Sequence, residues 1–366
     1  MKVRLWYWVK MFQAIGVAVL ASLAMLQGGC DAAGTVVRSI FVNQHGGADF
    51  KSIQAAVDSV AFGNDQWIRI HVAAGTYNEK VTIPQNKSFI LLEGEGGYQT
   101  SIEWADHAVG ESGTADSPTF AVFATDFMAR DITFKVRLAC RRHSCATYKP
   151  QIARVDCLRR GVTPAQNTYN TGGGGQTSPA VAALVAGDRA SFYRCGFASV
   201  QDTLCDLDGR HYYESCRIEG ATDFIFGNGR TIFRGCQITT AATPFSPGFI
   251  TAQGRSSADD PSGFVFWDCA VGGVTPAYLG RAWRAYARVV FYRTDMSNVV
   301  VSQGWDAWSY KGSEGTLMMA EAECTGQGAN RTGRVPWSKT LTGNELAKFI
   351  DLSYVSADGW LAAQPR

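Results

Sequence analysis

Two aspartates, Asp202 and Asp223, lie 21 residues apart, and each stands in an apolar setting. Asp202 precedes Thr-Leu, and Asp223 precedes Phe-Ile-Phe. Two carboxyl groups held close together cannot both ionise readily, so one keeps a proton near neutral pH while the other stays charged. A protonated acid beside an ionised nucleophile is suited to hydrolysis. The alternative is that each aspartate caps a turn, although a turn aspartate is usually followed by Gly, Asn or Ser. The spacing alone leaves both interpretations open.

The segments that would position this pair repeat along the chain with the same interval. Cys195 and Cys216 are also 21 residues apart, and each aspartate comes seven residues after one of these cysteines. Short alternating segments, each of which predicts a strand, recur here: SFYRCGF, HYYESCRI, TIFRGCQI, FVFWDCAV and VVFYRTDM. A repeat of about 20 residues with variable insertions is typical of a solenoid whose loops grow on one side.

A coil of parallel strands is the architecture that this repeat favours. The upstream segments WIRIHVAAGTY, VTIPQNKSFILLEG and FAVFATDFMARDITF are also rich in Ile, Val and Phe, and they lack a long helical period. A β-sandwich built from hairpins is the alternative, but only FGNGR, residues 226–230, gives a good hairpin signal. We therefore predict an all-β protein whose strands bury their inner side.

In a parallel coil, equivalent positions on successive turns stack at the strand spacing of about 4.8 Å. Asp202 and Asp223 would then lie on adjacent turns. Four cysteines would form a stack inside the coil: Cys195, Cys216, Cys236 and Cys269. We interpret them as small buried hydrophobic side chains in preference to disulfides, because free cysteine packs in this way. Two further cysteines, Cys205 and Cys324, have no assigned place.

The segment from GDRASFYRC through QDTL to DFIFGNG, with YLGRAW downstream and GTYNEKVTIP upstream, resembles the plant-type pectin methylesterases. The resemblance runs from about Ile40 to Trp308. It implies the single-stranded, right-handed parallel β-helix of the pectin lyase-like solenoids. It also implies hydrolysis of the methyl esters of homogalacturonan, which gives pectate and methanol.

The same resemblance assigns roles to residues of this chain. Asp223 becomes the nucleophile that forms an acyl-enzyme, and Asp202 becomes the general acid and then the general base. Gln201 would stabilise the oxyanion, Arg281 would hold the Asp223 carboxylate ionised, and Trp283 would support a galacturonate ring. Without the resemblance, an Arg-x-Trp pair is more often a surface cation–π contact, and Gln201 is unremarkable.

One departure from the family falls close to these motifs. The family commonly carries a second oxyanion glutamine where this chain has Pro179, in SPAVAALVAGDRA. Proline has no side-chain donor, so one hydrogen bond to the oxyanion is absent unless Gln176 or a backbone amide replaces it. We expect activity that is reduced, by up to about 100-fold, and not abolished.

A second departure is the segment from Val136 to Gln166, which interrupts the family pattern. It holds three of the ten cysteines, seven basic residues and one acidic residue, and it shows neither strand alternation nor helical amphipathicity. Valine codons begin with GT and one glutamine codon is CAG, which are the boundary letters of an intron. We interpret the segment as a retained intron; the alternative is a basic loop that attracts pectate.

The first 33 residues have the layout of a secretory signal peptide, with three basic residues before a short apolar run and small residues after it. A lipid-anchored form is the alternative. Asn86 and Asn330 lie in glycosylation tripeptides, which fit an exported cell-wall glycoprotein. Without residues 1–33 and 136–166, the chain carries 24 Lys and Arg against 30 Asp and Glu, so its net charge is −6 and not +2. The basic character of the whole chain is therefore no evidence for an acidic partner.

These observations predict one β-helix domain over residues 34–366, secreted to the cell wall as a monomer. The expected partners are methyl-esterified homogalacturonan and a proteinaceous pectinesterase inhibitor, with no nucleic acid, metal or other cofactor. Two other functions stay open. One is chain cleavage by a polygalacturonase or pectate lyase, which would need another carboxylate constellation or calcium ligands. The other is a weakened or inactive pectin-binding wall protein.

Overall fold

The computed structural model describes residues 34–108, 113–136, 178–243 and 246–366. The predicted signal peptide lies outside these residues, as does the predicted insertion after its first residue, Val136. Within the described part of the chain, every strand pairing is parallel. The predicted parallel β-helix is confirmed, and the β-sandwich alternative is wrong.

The coil has three sheets that the chain visits in turn. Sheet 1 contains β1 (Val36–Val42), β2 (Trp67–Val72), β5 (Ile90–Gly94), β8 (Phe127–Arg130), β11 (Ala190–Tyr193), β14 (Arg210–Glu214), β17 (Arg230–Arg234), β20 (Gly263–Trp267), β23 (Arg288–Tyr292), β26 (Met318–Ala322) and β27 (Lys339–Thr340). Sheet 2 contains β3 (Gly75–Tyr77), β6 (Thr100–Trp104), β9 (Thr133–Val136), β12 (Gly196–Ala198), β15 (Arg217–Gly220), β18 (Gln237–Thr240), β21 (Ala270–Gly273) and β24 (Asp295–Met296). Sheet 3 contains β4 (Val81–Ile83), β7 (Phe120–Val122), β10 (Ala183–Val185), β13 (Leu204–Asp206), β16 (Thr222–Gly227), β19 (Gly248–Gln253), β22 (Ala277–Ala282) and β25 (Trp305–Asp306).

The helices are short and lie at the ends and on the outside of the coil. They are α1 (Ile53–Asp58), α2 (Gly343–Ala347) and α3 (Ser353–Ser356), with 3-10 turns at Thr114–Asp116, Trp308–Tyr310, Glu314–Thr316 and Gln327–Ala329. The carboxylate of Glu79 accepts hydrogen bonds from the N–H groups of Ile53 and Gln54 at the start of α1, at 2.8 and 3.0 Å. Such acceptors satisfy donors that a helix start leaves unpaired. None of the helices in the described residues is long and apolar enough to cross a membrane.

The 21-residue interval measures one turn of this coil. Ala190 pairs with His211 in sheet 1, Gly196 with Arg217 in sheet 2 and Leu204 with Ile225 in sheet 3. The interior is filled by rings that stack from turn to turn. Phe192, Tyr213, Phe233, Phe266 and Phe291 follow one another at centroid distances of 4.8, 4.8, 4.6 and 4.4 Å and lie within 16° of parallel. Because these rings repeat in register, they fix the register of the strands that carry them.

The predicted cysteine stack is confirmed, and it is longer than predicted. Cys195, Cys216, Cys236 and Cys269 are at most 3% exposed. All six described cysteines are free thiols. Each of Cys216, Cys236 and Cys269 donates its S–H to a main-chain carbonyl of the preceding turn, at 3.2 to 3.6 Å. Two more residues continue this ladder with the same hydrogen bond: Thr294 and Cys324.

The residue before each of these positions turns the chain from sheet 1 into sheet 2. The backbone there is left-handed, with φ between 49° and 60° at six successive corners, Arg194, Ser215, Gly235, Asp268, Arg293 and Glu323. Glycine avoids the steric cost of this conformation, and the other five corner residues are polar because all six corners are exposed to solvent.

The FGNGR segment forms a corner and not a hairpin. Gly227 ends β16 in sheet 3, and Arg230 begins β17 in sheet 1. The φ of Gly227 is 124°, and a Cβ atom there would collide with the main-chain carbonyl of Asp206 on the preceding turn. Glycine is therefore required because two turns of the coil lie close together. A glycine-rich segment of this kind is also typical of a hairpin turn.

Candidate active site

Asp202 and Asp223 lie at the same corner of adjacent turns, where the chain passes from sheet 2 to sheet 3. Gln201 forms a parallel bridge with Thr222, and the N–H of Asp202 donates to the carbonyl oxygen of Thr222 at 3.0 Å. The two aspartates are therefore in register, as the 21-residue spacing predicts. Both have a left-handed backbone, with φ of 60° and 47°. Non-glycine residues in this region cost about 1 kcal/mol or more and concentrate at functional sites.

The apolar residues that follow each aspartate anchor this corner to the core. Leu204 and Phe224 are fully buried. A Cβ atom at Gly220 would collide with the Phe224 side chain and with the Thr203 hydroxyl, so the chain needs glycine there to bring Phe224 inward. The anchored residues leave the carboxyl groups on the outer side of the coil.

The two carboxyl groups have different electrostatic surroundings. Burial and, second to it, the charge of Asp223 raise the pKa of Asp202 to about 8, against the opposing effects of Arg281 and the Gln201 side chain. The pKa of Asp223 is also raised, because burial outweighs the hydrogen bonds and charge of Arg281, which oppose the rise. Asp202 is therefore the protonated member of the pair near neutral pH, and the contact with Arg281 favours the ionised form of Asp223.

Arg281 holds the ionised carboxylate with a two-pronged contact. Its Nε donates to Oδ1 of Asp223 at 2.7 Å, and its Nη2 donates to Oδ2. The two side chains are 19% and 11% exposed, respectively. A planar guanidinium fits both carboxylate oxygens at once, which lysine cannot do. The orientation of the Asp223 carboxylate is thereby fixed.

Gln201 lies beside the pair, and its side-chain amide hydrogen-bonds the Asp202 carboxyl group. A glutamine amide has two N–H donors, so one can bind Asp202 while the other faces a second acceptor. Gln201 is half-buried, and its pairing with Thr222 places it beside the aspartate pair.

Pro179 lies next to this corner, one turn before it. The N–H of Ala180 donates to the carbonyl oxygen of Gln201 at 3.1 Å, which places residues 179–180 beside Gln201. The carbonyl oxygen of Pro179 accepts from the N–H of Ala108 at 2.8 Å, and its side chain offers no donor. Gln176, the other candidate donor, lies outside the described residues.

Trp283 follows β22 and is half-buried at the end of the outer face of sheet 3. Its ring meets the ring of Phe226 edge to face, at a centroid distance of 6.2 Å. The guanidinium carbon of Arg284 lies 5.2 Å from the Trp283 ring centroid. The predicted residues Gln201, Asp202, Asp223 and Arg281 thus form one group, with Trp283 on the neighbouring surface.

Sequence reasoning missed two aromatic residues of this group. The guanidinium carbon of Arg281 lies 4.3 Å from the ring centroid of Phe249 and 3.7 Å from that of Trp308. The signal that could have found Phe249 is its strand, GFITAQ, which lies between the strands of Asp223 and Arg281. Within the described ranges, no group of three or more His, Cys, Asp or Glu side chains is close enough to hold a metal ion.

Comparisons with known proteins agree with this geometry. The Pectinesterase family model matches residues 39–168 and 143–358. Probable pectinesterase 29 of Arabidopsis thaliana is 41% identical over 340 residues, which cover 91% of each chain. Probable pectinesterase 55 of the same plant is 41% identical over 334 residues, covering 89% of this chain and 91% of the relative. The solved pectin methylesterase from carrot is 30% identical with a TM-score of 0.76, over 90% of this chain and 97% of that chain. With both the fold and nearly the full length matched, this chain belongs to the pectinesterase family of carboxylic ester hydrolases.

Proposed function

We propose that this chain removes methyl groups from esterified homogalacturonan through Asp223 and Asp202. The observation that carries the proposal is the difference between the two carboxyl groups. They lie in register on adjacent turns, yet Arg281 binds only Asp223 with both prongs, and burial raises the pKa of Asp202 to about 8. A nucleophile and an acid are therefore present side by side in the protonation states that ester cleavage needs.

In the first half of the reaction, an oxygen of Asp223 attacks the carbonyl carbon of the methyl ester. The bond from that carbon to the methoxyl oxygen breaks, and methanol leaves with the proton of Asp202. The product is an anhydride between Asp223 and the galacturonate carboxyl group. In the second half, the Asp202 carboxylate takes a proton from water, which attacks the same carbonyl carbon. The galacturonic acid and the free Asp223 carboxylate are released, and Asp202 is again protonated.

The negative charge that develops on the carbonyl oxygen requires a donor, and Gln201 supplies it. A donor aimed at such an oxyanion contributes about 3 kcal/mol to catalysis. Pro179 supplies none on the neighbouring turn, so we expect a slower enzyme than one with two glutamines. The half-buried Trp283 offers a flat apolar face to a sugar ring on the same outer surface.

A wall-binding protein without activity is the competing function from another class. The intact Asp202, Asp223 and Arg281 group favours the enzyme. Chain cleavage is less favoured, because these residues match ester hydrolysis and the relatives are named for that reaction.

One assay separates these functions. Purified protein is incubated with highly methylated pectin while methanol, chain length and unsaturated chain ends are followed together. We expect methanol with no chain shortening, and an Asp223→Asn protein as the matched control should release almost none. Chain shortening or unsaturated ends would show a different pectin-active enzyme, and binding without methanol would show a wall-binding protein.

We expect cleavage of residues 1–33 during secretion to the cell wall, which amino-terminal sequencing of the exported protein tests. Asn86 and Asn330 are both exposed, so glycans can be attached to them, and an unchanged mass after glycosidase treatment would contradict this.

A transcript that contains codons 136–166 as its main form would contradict the retained intron. A monomer, with a proteinaceous inhibitor as partner, is tested by light scattering with and without that inhibitor.

A further inference from the structure

Arg281 has to reach across a complete strand to bind Asp223. Asp223 belongs to β16 and Arg281 to β22, and β19 is hydrogen-bonded between them. Because parallel strands lie about 4.8 Å apart, the side chain spans about two strand spacings. The residue of β19 that pairs with Arg281 is Ala252, which is small and 3% exposed. The arginine side chain therefore passes over β19 at a place where no large side chain blocks it.

Two aromatic rings meet the guanidinium at the end of this path. The Phe249 ring belongs to β19, the strand before Arg281, and its centroid is 4.3 Å from the guanidinium carbon. The Trp308 ring follows β25, the strand after Arg281, and its centroid is 3.7 Å from the same atom. Both rings therefore contact the guanidinium, one from the strand before Arg281 and one from the segment after the following strand.

Both rings are themselves held in place. The Phe249 ring stacks on the ring of Tyr278 at 5.1 Å and 10°. Trp308 has a left-handed backbone with φ of 53°, and its N–H donates to Oδ1 of Asp306 at 2.7 Å. A left-handed backbone is unfavourable for a bulky side chain and persists where the surroundings require it. Trp308 is 39% exposed, so core packing does not account for this conformation.

We propose that Phe249 is a positioning residue for ester hydrolysis, which with Trp308 confines the Arg281 guanidinium to the plane in which it binds both oxygens of Asp223. The inference rests on the roles proposed above for Asp223 and Arg281. An unconfined arginine side chain has many rotamers, and ordering it for each turnover costs conformational entropy. Aromatic faces bind a guanidinium flat, so they provide this order before substrate arrives.

The clamp has a consequence for the pH dependence of the enzyme. When the guanidinium is less ordered, the Asp223 carboxylate is less stabilised and takes up a proton at higher pH. The charged groups that face it are Arg281 on β22 and Asp202 on the preceding turn, and Asp306 pairs with Arg281 on the following strand. The nucleophile must be ionised, so the acid limb of kcat/KM moves to higher pH.

Phe249→Leu tests the proposal, because it removes the ring and keeps an apolar side chain of similar size. The matched control is Phe249→Tyr, which keeps the ring. A second control, Tyr278→Leu, removes the ring that contacts Phe249 from the other side. We expect Phe249→Leu to lower kcat about tenfold, with KM changed less than about twofold and the acid limb moved upward. Phe249→Tyr should retain the wild-type kcat and acid limb.

Several results would overturn the proposal. One is a Phe249→Leu protein with wild-type kcat and an unmoved acid limb. Another is a change in KM alone, which would make Phe249 a substrate contact. A third is equal loss of activity in the leucine and tyrosine proteins. Thermal unfolding of each variant identifies lost stability, and a lowered midpoint with an unmoved acid limb also contradicts positioning. Failure of the underlying function is distinguishable, because the wild type would then release no methanol, or Asp223→Asn would stay active.

Discussion

Asp202 of the outer pair and Asp206 of an interior pair lie four residues apart on the same turn of the coil. Their surroundings differ in every respect that matters for catalysis. Asp202 and Asp223 lie on the outer side of the coil and carry a left-handed backbone, and the half-buried Arg281 binds the carboxylate of Asp223. Asp206 faces the interior, where it pairs with His211, and both of these side chains are fully enclosed. The distinction that matters for function is access: Asp206 is fully enclosed, whereas Asp223 keeps part of its side chain exposed and can meet a substrate.

The interior pair is a structural group. Nδ1 of His211 shares a hydrogen bond with Oδ1 of Asp206, and its Nε2–H donates to the carbonyl oxygen of Gly187 at 3.0 Å. Burial lowers the pKa of His211, but the charge and hydrogen bond of Asp206 raise it by more. Within the described part of the chain, Oδ2 of Asp206 has no hydrogen-bond partner. The pair links β13 to β14 across a corner and cannot meet a polymer.

The largest expected difference between the two groups is in catalysis. Asp223→Asn removes the nucleophile and should lower the rate of methanol release by about 10⁴-fold or more. Asp206→Asn, measured well below its unfolding temperature, should stay within about tenfold of wild type, because Asp206 cannot contact substrate. Comparable losses in the two proteins would refute the division between a reactive corner and a structural interior.

The outer corner should also respond to a donor placed beside it. Pro179→Gln restores an amide next to Gln201 and should raise kcat by up to about 100-fold, since a donor to the oxyanion acts only in the transition state. The comparison is with Pro179→Ala, which relieves the same backbone restriction but adds no donor. An equal change in both proteins, or no gain with glutamine, would show that no oxyanion donor is missing.

The sequence predicts the outer corner better than the interior pair, for physical reasons. Strand alternation and a fixed 21-residue interval place Asp202 beside Asp223, because a parallel coil keeps its register. Phe249 and Trp308 follow irregular connections, so the repeat carries no information about where their rings point. Cys324 joins the cysteine ladder after such a connection, so its spacing from the preceding member of the ladder does not match the 21-residue repeat.

The Asp206 and His211 pair was missed although a signal was available. In the alternation of β13, Leu204 points inward and Cys205 outward, so Asp206 points inward. A carboxylate at an inward position requires a partner, and the histidine at the start of the next strand is the nearest candidate in the sequence. A search limited to aspartates that precede apolar residues does not consider which group neutralises the charge of Asp206.

Stability should change with opposite signs in the two regions. The folded-state pKa of Asp202 is about 8, well above its unfolded value. Its contribution to stability is therefore present below an unfolded pKa of about 4 and is lost as the pH rises toward 8. Asp202→Asn cannot ionise and should raise the free energy of unfolding at pH 7 by about 2 kcal/mol. Asp206→Asn removes one member of a fully buried pair, the carboxylate that hydrogen-bonds His211, and should lower the free energy of unfolding by about 3 kcal/mol. Chemical denaturation of both proteins at pH 7 measures the difference, and changes of the same sign would contradict it.

The finest test is the pH profile, in which the interior pair should have no part. The kcat/KM of the wild type reports the free enzyme through the first irreversible step, where Asp202 acts only as an acid. Its alkaline limb should therefore lie near pH 8, where Asp202 loses its proton, and its acid limb should follow the ionisation of Asp223. Asp206→Asn should leave both limbs where they are, although His211 also has a raised pKa. An alkaline limb that moves in this protein would mean that the interior pair acts on Asp202 through β13, and the two groups would then be one electrostatic unit.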